Sequence, residues 1–178
     1  MKTLYGNELV NTVRQLADKT QSRLWIVVPY IWGKNAIKRI LGKKWYSNSA
    51  ISFKLLTDTS EKGNIDTNTF QLLYSRGEVR SIKGLHAKVY FFDDECIVTS
   101  ANLTNTAFSK RHEIGIWLDK IDAKDVFKVF NAWWIKALQV YPDDLDRLLT
   151  TSASSDEEIV GGLPIIWDMR ENPGDYTG

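Results

Sequence analysis

Apolar residues follow two different periodicities along the first 140 residues, and together they predict alternating helices and strands. Residues 7–20 carry apolar side chains at helical spacing, so they predict an amphipathic helix. The run L-W-I-V-V-P-Y-I at 24–31 is too short for a typical helix and rich in β-branched residues, so it predicts a buried strand. Shorter apolar runs predict further strands at 51–57, 78–82 and 113–118.

Three more helices complete the pattern. They are predicted over 33–41, over 66–76 with Gly77 just past its end, and over 123–140. The last is the longest, and its broad apolar stripe is typical of a core-facing helix, with a subunit interface as the alternative. This order of elements predicts an α/β fold with a layered, mixed β-sheet flanked by helices.

The composition changes after Pro142. Residues 150–158 (T-T-S-A-S-S-D-E-E) are typical of a linker, and 161–167 (G-G-L-P-I-I-W) form a small apolar patch. We therefore expect one domain over 1–149 and a tail over 150–178. The tail can pack on the domain or on a partner.

A β-hairpin is predicted around the polar segment 93–95. If these three residues form the loop, His86 lies opposite Asn102 and Lys88 lies opposite Ser100. Directly opposed residues share a face of the sheet, so the four polar side chains would meet at one end of the hairpin. A two-residue loop would instead place Ser100 and Asn102 on the other face.

The chemistry of these four side chains suits an anion, and a phosphoryl group in particular. Lysine supplies a positive charge, asparagine an amide donor and serine a hydroxyl. A histidine beside them can attack phosphorus or transfer protons. The alternative is a core histidine whose hydrogen bonds are satisfied within a polar patch.

The same residues fall into a longer spaced pattern. His86, Lys88 and Asp93 satisfy H-x-K-x4-D, and Ser100 and Asn102 satisfy the end of a following G-S-x-N. Asp93 lies seven residues beyond His86, which is about 23 Å along an extended strand, so we expect it to act in a turn or an ion pair.

Two further positions complete the pattern. Thr99 stands where G-S-x-N has its glycine, and Glu113 follows Asn102 by eleven residues. The set resembles the HKD motif of the phospholipase D superfamily, and the predicted element order over 1–140 suits that fold. In this resemblance Thr99 lies beside the substrate and restricts how closely the backbone approaches it.

The resemblance implies a mechanism without a metal ion or cofactor. Two motifs build one site, in which one histidine forms a phosphohistidine and the other protonates the leaving oxygen. In this reading His86 is nucleophile or acid, Lys88 and Asn102 hold phosphate oxygens, Ser100 supports them and Glu113 orients His86. Since the chain has one motif, the resemblance implies a homodimer with one motif from each subunit, or a second motif from another protein.

The charge distribution bears on the partner. The formal net charge is only +1, but residues 1–50 sum to +7 and residues 113–178 to −7. Such a polarised chain can present a basic surface to DNA, although the two ends can equally pair with each other.

Several residues outside the motif are candidates for substrate binding. Lys34, Lys38 and Arg39 precede Trp45 and Tyr46 in a basic segment, which suits a phosphate backbone with stackable bases; a solvated helix face is the alternative. Tyr30 and Trp32 lie at the end of the first predicted strand, where ligands often bind in α/β sheets. His112 lies in a basic run that is either a solvated loop end or a nucleic-acid contact.

Composition narrows the setting. One cysteine excludes an internal disulfide and a cysteine-based zinc site. No apolar run is long enough to span a bilayer, and the N-terminus lacks a signal-peptide core, so we expect a cytoplasmic protein without a membrane partner.

The function most consistent with these features is a metal-independent phosphodiesterase that cleaves DNA as a homodimer. The alternatives are a phospholipid hydrolase of the same superfamily and a nucleic-acid-binding module with a degenerate site. We expect sequence recognition, if any, to come from a separate domain or subunit, because the residues after Thr150 are few.

Overall fold

The computed structural model describes residues 1–60, 64–65, 67–141 and 144. They form ten strands and six helices. The strands are β1 (Lys2–Tyr5), β2 (Arg23–Val27), β3 (Ile31–Trp32), β4 (Ser52–Thr57), β5 (Glu78–Ser81), β6 (Val89–Phe92), β7 (Glu95–Thr99), β8 (Leu103–Thr104), β9 (Ile114–Leu118) and β10 (Leu138–Gln139). The helices are α1 (Gly6–Lys19), α2 (Lys34–Leu41), α3 (Lys44–Ser47), α4 (Thr67–Tyr74), α5 (Asn105–Ser109) and α6 (Lys124–Lys136).

Eight strands form one mixed sheet in the order β1-β9-β7-β6-β2-β4-β5-β10. Strands β2, β4 and β5 run parallel, because helical crossovers connect them, and the remaining pairs are antiparallel. Strands β3 and β8 form a separate parallel pair. The α/β fold with a layered mixed sheet is confirmed.

Two apolar layers cover the two faces of the large sheet. The first face packs against the helices from the first two thirds of the chain, with Leu24, Ile26 and Tyr90 among its buried strand residues. The second face packs against α6 through Phe91 and Phe130. Strand β6 lies at the centre and is buried along its whole length, as its unbroken apolar run predicts.

The predicted helix over 123–140 is present as α6, but its predicted C-terminal end is wrong. The helix ends at Lys136, and α1 is one residue longer than α6. Residues Leu138–Gln139 adopt an extended conformation and pair with the edge of β5 at Arg80–Ser81. The open edge of β5 offers hydrogen bonds that the helical pattern of the sequence does not reveal. The N-terminal strand β1, which pairs with β9, was not predicted for the same reason.

The predicted three-residue loop of the hairpin is also wrong. Phe92 pairs with Glu95, so the turn contains only Asp93 and Asp94. Asp93 has a φ of 51°, a left-handed conformation that two-residue hairpin turns favour and that aspartate tolerates better than most residues. His86 and Asn102 are therefore not opposed.

The basic segment after Gly33 does not form one continuous surface. Trp45 is fully buried and stacks on Phe53, so its ring is not available to stack on a base. The Lys44 ammonium donates to the Asp18 carbonyl. The linker-like segment 150–158, the apolar patch 161–167 and the rest of the proposed tail lie outside the described residues.

Candidate active site

The sheet has two ends that matter for the site. At the first, called the site end below, β2 and β4 finish and β6 begins, because Val27 pairs with Val89 and Leu56 lies beside Val27. At the opposite end, called the turn end, β6 runs into the Asp93–Asp94 turn. The predicted catalytic side chains belong to segments that meet at the site end.

His86 and Lys88 lie immediately before β6, in a segment that is not itself a paired strand. The His86 side chain is exposed, whereas Lys88 is only 9% exposed. The Lys88 Nζ atom lies 3.2 Å from His86 Nδ1 and donates to the His86 carbonyl oxygen at 2.7 Å. Because Nδ1 faces Lys88, Nε2 is the ring nitrogen left for a ligand.

Burial lowers the pKa of Lys88, and the negative charge of Glu113 offsets part of that effect. The Tyr90 hydroxyl, which donates to the Ala101 carbonyl at 3.1 Å, is fully buried. Burial raises the pKa of Tyr90 well above its usual value, and the Glu113 charge raises it further. The field of Glu113 therefore reaches both side chains.

Ser100 comes next to Glu113 although the hairpin register differs from the prediction. The chain bends at Ser100, just past the end of β7. Its hydroxyl donates to the Glu113 carboxylate and accepts from the backbone N–H of Ile114 at 3.1 Å. Within the described residues, Glu113 makes no hydrogen bond to His86, so its predicted orienting effect would act through Lys88.

Thr99 ties β7 to β9. Its hydroxyl donates to the Ile114 carbonyl at 2.7 Å and accepts from the backbone N–H of Ala101 at 3.1 Å. It pairs with Gly115, where an added Cβ would lie 2.8 Å from the Leu9 side chain. At the position where the G-S-x-N pattern has its glycine, Thr99 thus adds two side-chain hydrogen bonds that a glycine could not form.

Asn102 lies between the bend at Ser100 and β8. It is half-buried, and its Oδ1 atom is buried without a hydrogen-bond partner among the described residues. Buried polar atoms are usually paired in folded proteins, so this acceptor costs stability, and it is the Asn102 side-chain NH2 group that can donate to an oxyanion. Tyr30 reaches the same point, because its carbonyl accepts from the backbone N–H of Leu103 at 3.2 Å.

The basic candidates divide into free and engaged side chains. Lys34 and Lys38 are exposed on α2, and no ion pair or hydrogen bond of their side chains occurs within the described residues. Arg39 donates to the Asn105 side chain and so joins α2 to α5. After α5 the exposed residues Lys110–His112 lead directly to Glu113.

Asp58 supports the site and was not identified from the sequence. It is 3% exposed and accepts hydrogen bonds from Ser60 and, at 2.7 Å, from the backbone N–H of Gly84. Burial alone would raise the pKa of Asp58, but hydrogen bonds from Ser60, Gly84 and Leu85 outweigh it and lower the pKa. Asp58 thus fixes the turn before His86. The available signal was an Asp-x-Ser sequence directly after an apolar strand.

The described residues contain no group of three or more histidine, cysteine, aspartate or glutamate side chains that could hold a metal ion. Nor does that part of the chain include a helix long and apolar enough to cross a membrane. The site consists of an imidazole, an ammonium, an amide, a hydroxyl and a carboxylate, which together can bind an oxyanion and transfer its group to nitrogen.

Comparison with known proteins places this arrangement in a family. The family model described as cardiolipin synthase, PLD-like domain, matches residues 13–134, which include every residue of the site described above. The chain therefore belongs to the phospholipase D-like family. No curated protein matches the sequence.

Solved structures of similar fold include two bacterial proteins that are matched over almost their whole length. NucT from Helicobacter pylori has a TM-score of 0.67 and 14% identity, over 78% of this chain and 98% of that one. Nuc from Salmonella typhimurium, a phospholipase D family member, has a TM-score of 0.61 and 18% identity, over 78% and 96%. Phosphatidylserine synthase from Haemophilus influenzae has a TM-score of 0.62 and 17% identity, over 85% and 44%. These likenesses establish the fold.

Proposed function

We propose that the protein is a phosphodiesterase that cleaves DNA without a metal ion, through a covalent intermediate on His86. The observation that carries the proposal is the 3.2 Å approach of Lys88 Nζ to His86 Nδ1. That approach sets an exposed imidazole beside a nearly buried ammonium, so a phosphate that the ammonium binds lies within reach of Nε2.

The reaction proceeds in two balanced steps. In the tautomer that carries its proton on Nδ1, the Nε2 lone pair of His86 attacks phosphorus, and an N–P bond forms while the P–O bond to the leaving strand breaks. Lys88 then donates to the His86 carbonyl and not to Nδ1. A second histidine donates the proton to the leaving oxygen. Water then attacks the phosphohistidine, gives a proton to that second histidine and releases His86.

The second histidine is His86 of the partner subunit. The chain has only two histidines, and His112 is exposed in a loop without a lysine two residues later. A homodimer with its two-fold axis at the site end supplies both motifs to one site. Each subunit then contributes the same residues in complementary roles.

The remaining side chains stabilise the phosphoryl group. Lys88 and the amide of Asn102 hold the non-bridging oxygens, where charge increases in the transition state. Ser100 donates its one hydroxyl proton to the Glu113 carboxylate, so it supports the phosphate site by holding that carboxylate. Glu113 keeps Lys88 charged by opposing the effect of its burial.

DNA is the proposed substrate because the exposed basic residues flank the site. Lys34 and Lys38 lie on the helix that follows β3, and Lys110 and Arg111 shortly precede Glu113. Positive side chains on both sides of a phosphate site can follow a polyanionic backbone. Sequence recognition is assigned to a separate domain or subunit.

A phospholipid is the second candidate substrate, and one observation favours it. An apolar groove of about 360 Å³ opens between the sheet and α6, next to the residue that follows His86. Such a groove can hold an acyl chain. Its lining includes Ala87, Val89, Val98, Val126, Val129 and Trp133.

The test compares wild type with His86→Asn on plasmid DNA and on phosphatidylglycerol vesicles, each with and without EDTA. We expect DNA cleavage by wild type that survives EDTA and falls at least about 10³-fold in His86→Asn. His112→Asn is the matched control, because it removes the other histidine, and it should retain cleavage. The mass in solution should be that of a dimer.

Three results would contradict the proposal. Cleavage that requires Mg²⁺ would exclude the phosphohistidine route, and cleavage that survives His86→Asn would exclude His86 as the nucleophile. Hydrolysis of the vesicles without cleavage of DNA would select the phospholipid candidate instead.

A further inference from the structure

The small β3–β8 pair places an exposed tryptophan beside the phosphate-binding amide. Trp32 pairs with Thr104, and Ile31 pairs with Leu103. The same parallel register continues backwards to bring Tyr30 next to Asn102, and neighbouring strands lie only about 4.8 Å apart. Trp32 is therefore a diagonal neighbour of Asn102, and diagonal neighbours in a sheet lie about 7–8 Å apart, which is within reach of an aromatic side chain.

Side-chain alternation decides which groups share the outer face of this pair. Ile31 and Leu103 are both fully buried in the core. Their neighbours along each strand must point the opposite way, so Tyr30 and Trp32 share the face that carries Asn102. The indole is 43% exposed, which is unusual for the largest apolar side chain.

Basic groups continue from this face. Gly33 follows Trp32 with a φ of 94°, a left-handed conformation that suits glycine, and the chain then turns into α2. The exposed lysines Lys34 and Lys38 lie on that helix. The order along this surface is thus a phosphate site, an aromatic plane and then positive charge.

We propose that Trp32 stacks an unpaired base next to the scissile phosphate, so that the substrate is single-stranded or locally unpaired nucleic acid. This inference rests on the proposed phosphodiesterase function. A base can stack on an indole only when its face is free, whereas the faces of bases in a duplex are covered by neighbouring base pairs. One indole beside the site therefore selects for unpaired nucleotides.

Tyr46 provides a matched control within the same chain. It is 48% exposed, close to the value for Trp32, and it also lies in the basic segment. It belongs to α3, which precedes β4, and β4 begins beside Arg23 at the turn end. An effect specific to stacking at the site should therefore appear for Trp32 and not for Tyr46.

The first experiment measures binding, so that it does not depend on cleavage. Fluorescence anisotropy of a single-stranded oligonucleotide is measured for His86→Asn and for His86→Asn with Trp32→Ala, Trp32→Phe or Tyr46→Ala. We expect Trp32→Ala to weaken binding about 5- to 150-fold, Trp32→Phe less, and Tyr46→Ala not at all. A fully abasic oligomer of equal length should bind equally to all four proteins.

The second experiment measures cleavage by the proteins with His86 intact. Wild type should cleave the single strand faster than the matching duplex, and Trp32→Ala should lose that preference but cleave the abasic oligomer like wild type. The stacking inference would be overturned if Trp32→Ala bound the base-containing oligomer as tightly as its parent protein does. Faster cleavage of the duplex than of the single strand by wild type would overturn it as well. Binding that depends on Trp32 without any cleavage would instead overturn the proposed function alone.

Discussion

The two ends of the β6–β7 hairpin differ in how completely their polar groups are paired. At the turn end, the Asp93 carboxylate accepts from the backbone N–H groups of Gln21, Ser22 and Arg23 at 2.7–3.0 Å and from the Ser22 hydroxyl at 2.8 Å. Its neighbour Asp94 forms ion pairs with Arg23 and Lys120. Every carboxylate of the turn has a partner within the chain.

At the site end the pairing is incomplete. Lys88 is nearly buried, its pKa is lowered by that burial, and its closest polar neighbours are the ring and carbonyl of His86. The Oδ1 atom of Asn102 has no partner among the described residues. Polar groups at the turn end therefore stabilise the fold, whereas the nearly buried ammonium and the unpaired amide oxygen at the site end cost stability.

Lys88→Met should separate stability from activity most strongly. We expect kcat to fall about 10²- to 10³-fold, because a charge that stabilises the transition state is lost. The free energy of unfolding should stay the same or rise, since a buried ammonium disfavours the folded state. Urea unfolding and DNA cleavage measure the two quantities, and a clear loss of stability would show that Lys88 instead supports the fold.

The stability of wild type and that of Lys88→Met should depend differently on pH. A lysine whose pKa is lowered in the folded state destabilises it while charged, so wild-type stability should rise with pH between the lowered pKa and the ordinary lysine pKa of 10.5. Lys88→Met should lack that rise. Unfolding at pH 7 and pH 10 measures the difference.

Asp93→Ala should give the opposite result at the turn end. We expect a loss of about 2 kcal/mol in the free energy of unfolding, because four hydrogen bonds disappear and alanine tolerates a positive φ poorly. Activity per folded molecule should not change. A fall in kcat without a loss of stability would contradict the comparison.

Asp93→Asn isolates the charge, because asparagine tolerates the same backbone conformation. Burial alone would raise the pKa of Asp93, but backbone hydrogen bonds from Gln21, Arg23 and Ser22 outweigh it and lower the pKa. The stabilisation is therefore present above the ordinary aspartate pKa of 3.8 and is lost as the pH falls through the lower pKa of the folded state. The free energies of unfolding of wild type and Asp93→Asn should therefore converge at low pH, as acid unfolding can measure.

Glu113→Gln should have the smallest effect, about tenfold on kcat, or about 1.4 kcal/mol. Removing the negative charge that raises the pKa of Lys88 should shift the alkaline limb of the pH–rate profile to lower pH. Glu95→Gln is the control, because Glu95 lies at the turn end and accepts from Trp117 Nε1 at 3.2 Å. Equal shifts in the two variants would show that Glu113 has no specific effect on Lys88.

The sequence predicted most of the layers of the fold. Apolar runs located β2, β4 and β9, with predicted ends that lie within four residues of the observed ends, since a central strand buried on both faces needs such a run. The short edge strands β1 and β10 were missed, because two to four residues carry too little periodicity and their pairing depends on a neighbouring edge.

The hairpin shows that its predicted register depends on the length of the turn. A three-residue loop would place His86 opposite Asn102, whereas the two-residue turn shifts the register. The polar groups converge because the chain bends at Ser100 and bonds to Glu113. Local sequence does not encode that bend strongly, since its hydrogen-bond partners come from a different strand.

The sequence by itself determined the chemistry: one histidine–lysine pair, the following serine and asparagine, and a single copy of the motif. Only the tertiary structure decided how these groups are held. Asp93 fixes the turn by accepting from backbone N–H groups about 70 residues earlier in the chain. Asp58 fixes the segment before His86 by accepting from the backbone N–H of Gly84, which lies 26 residues later. Side-chain identity is local information, but register and pairing depend on contacts between distant segments, which form only when the chain folds.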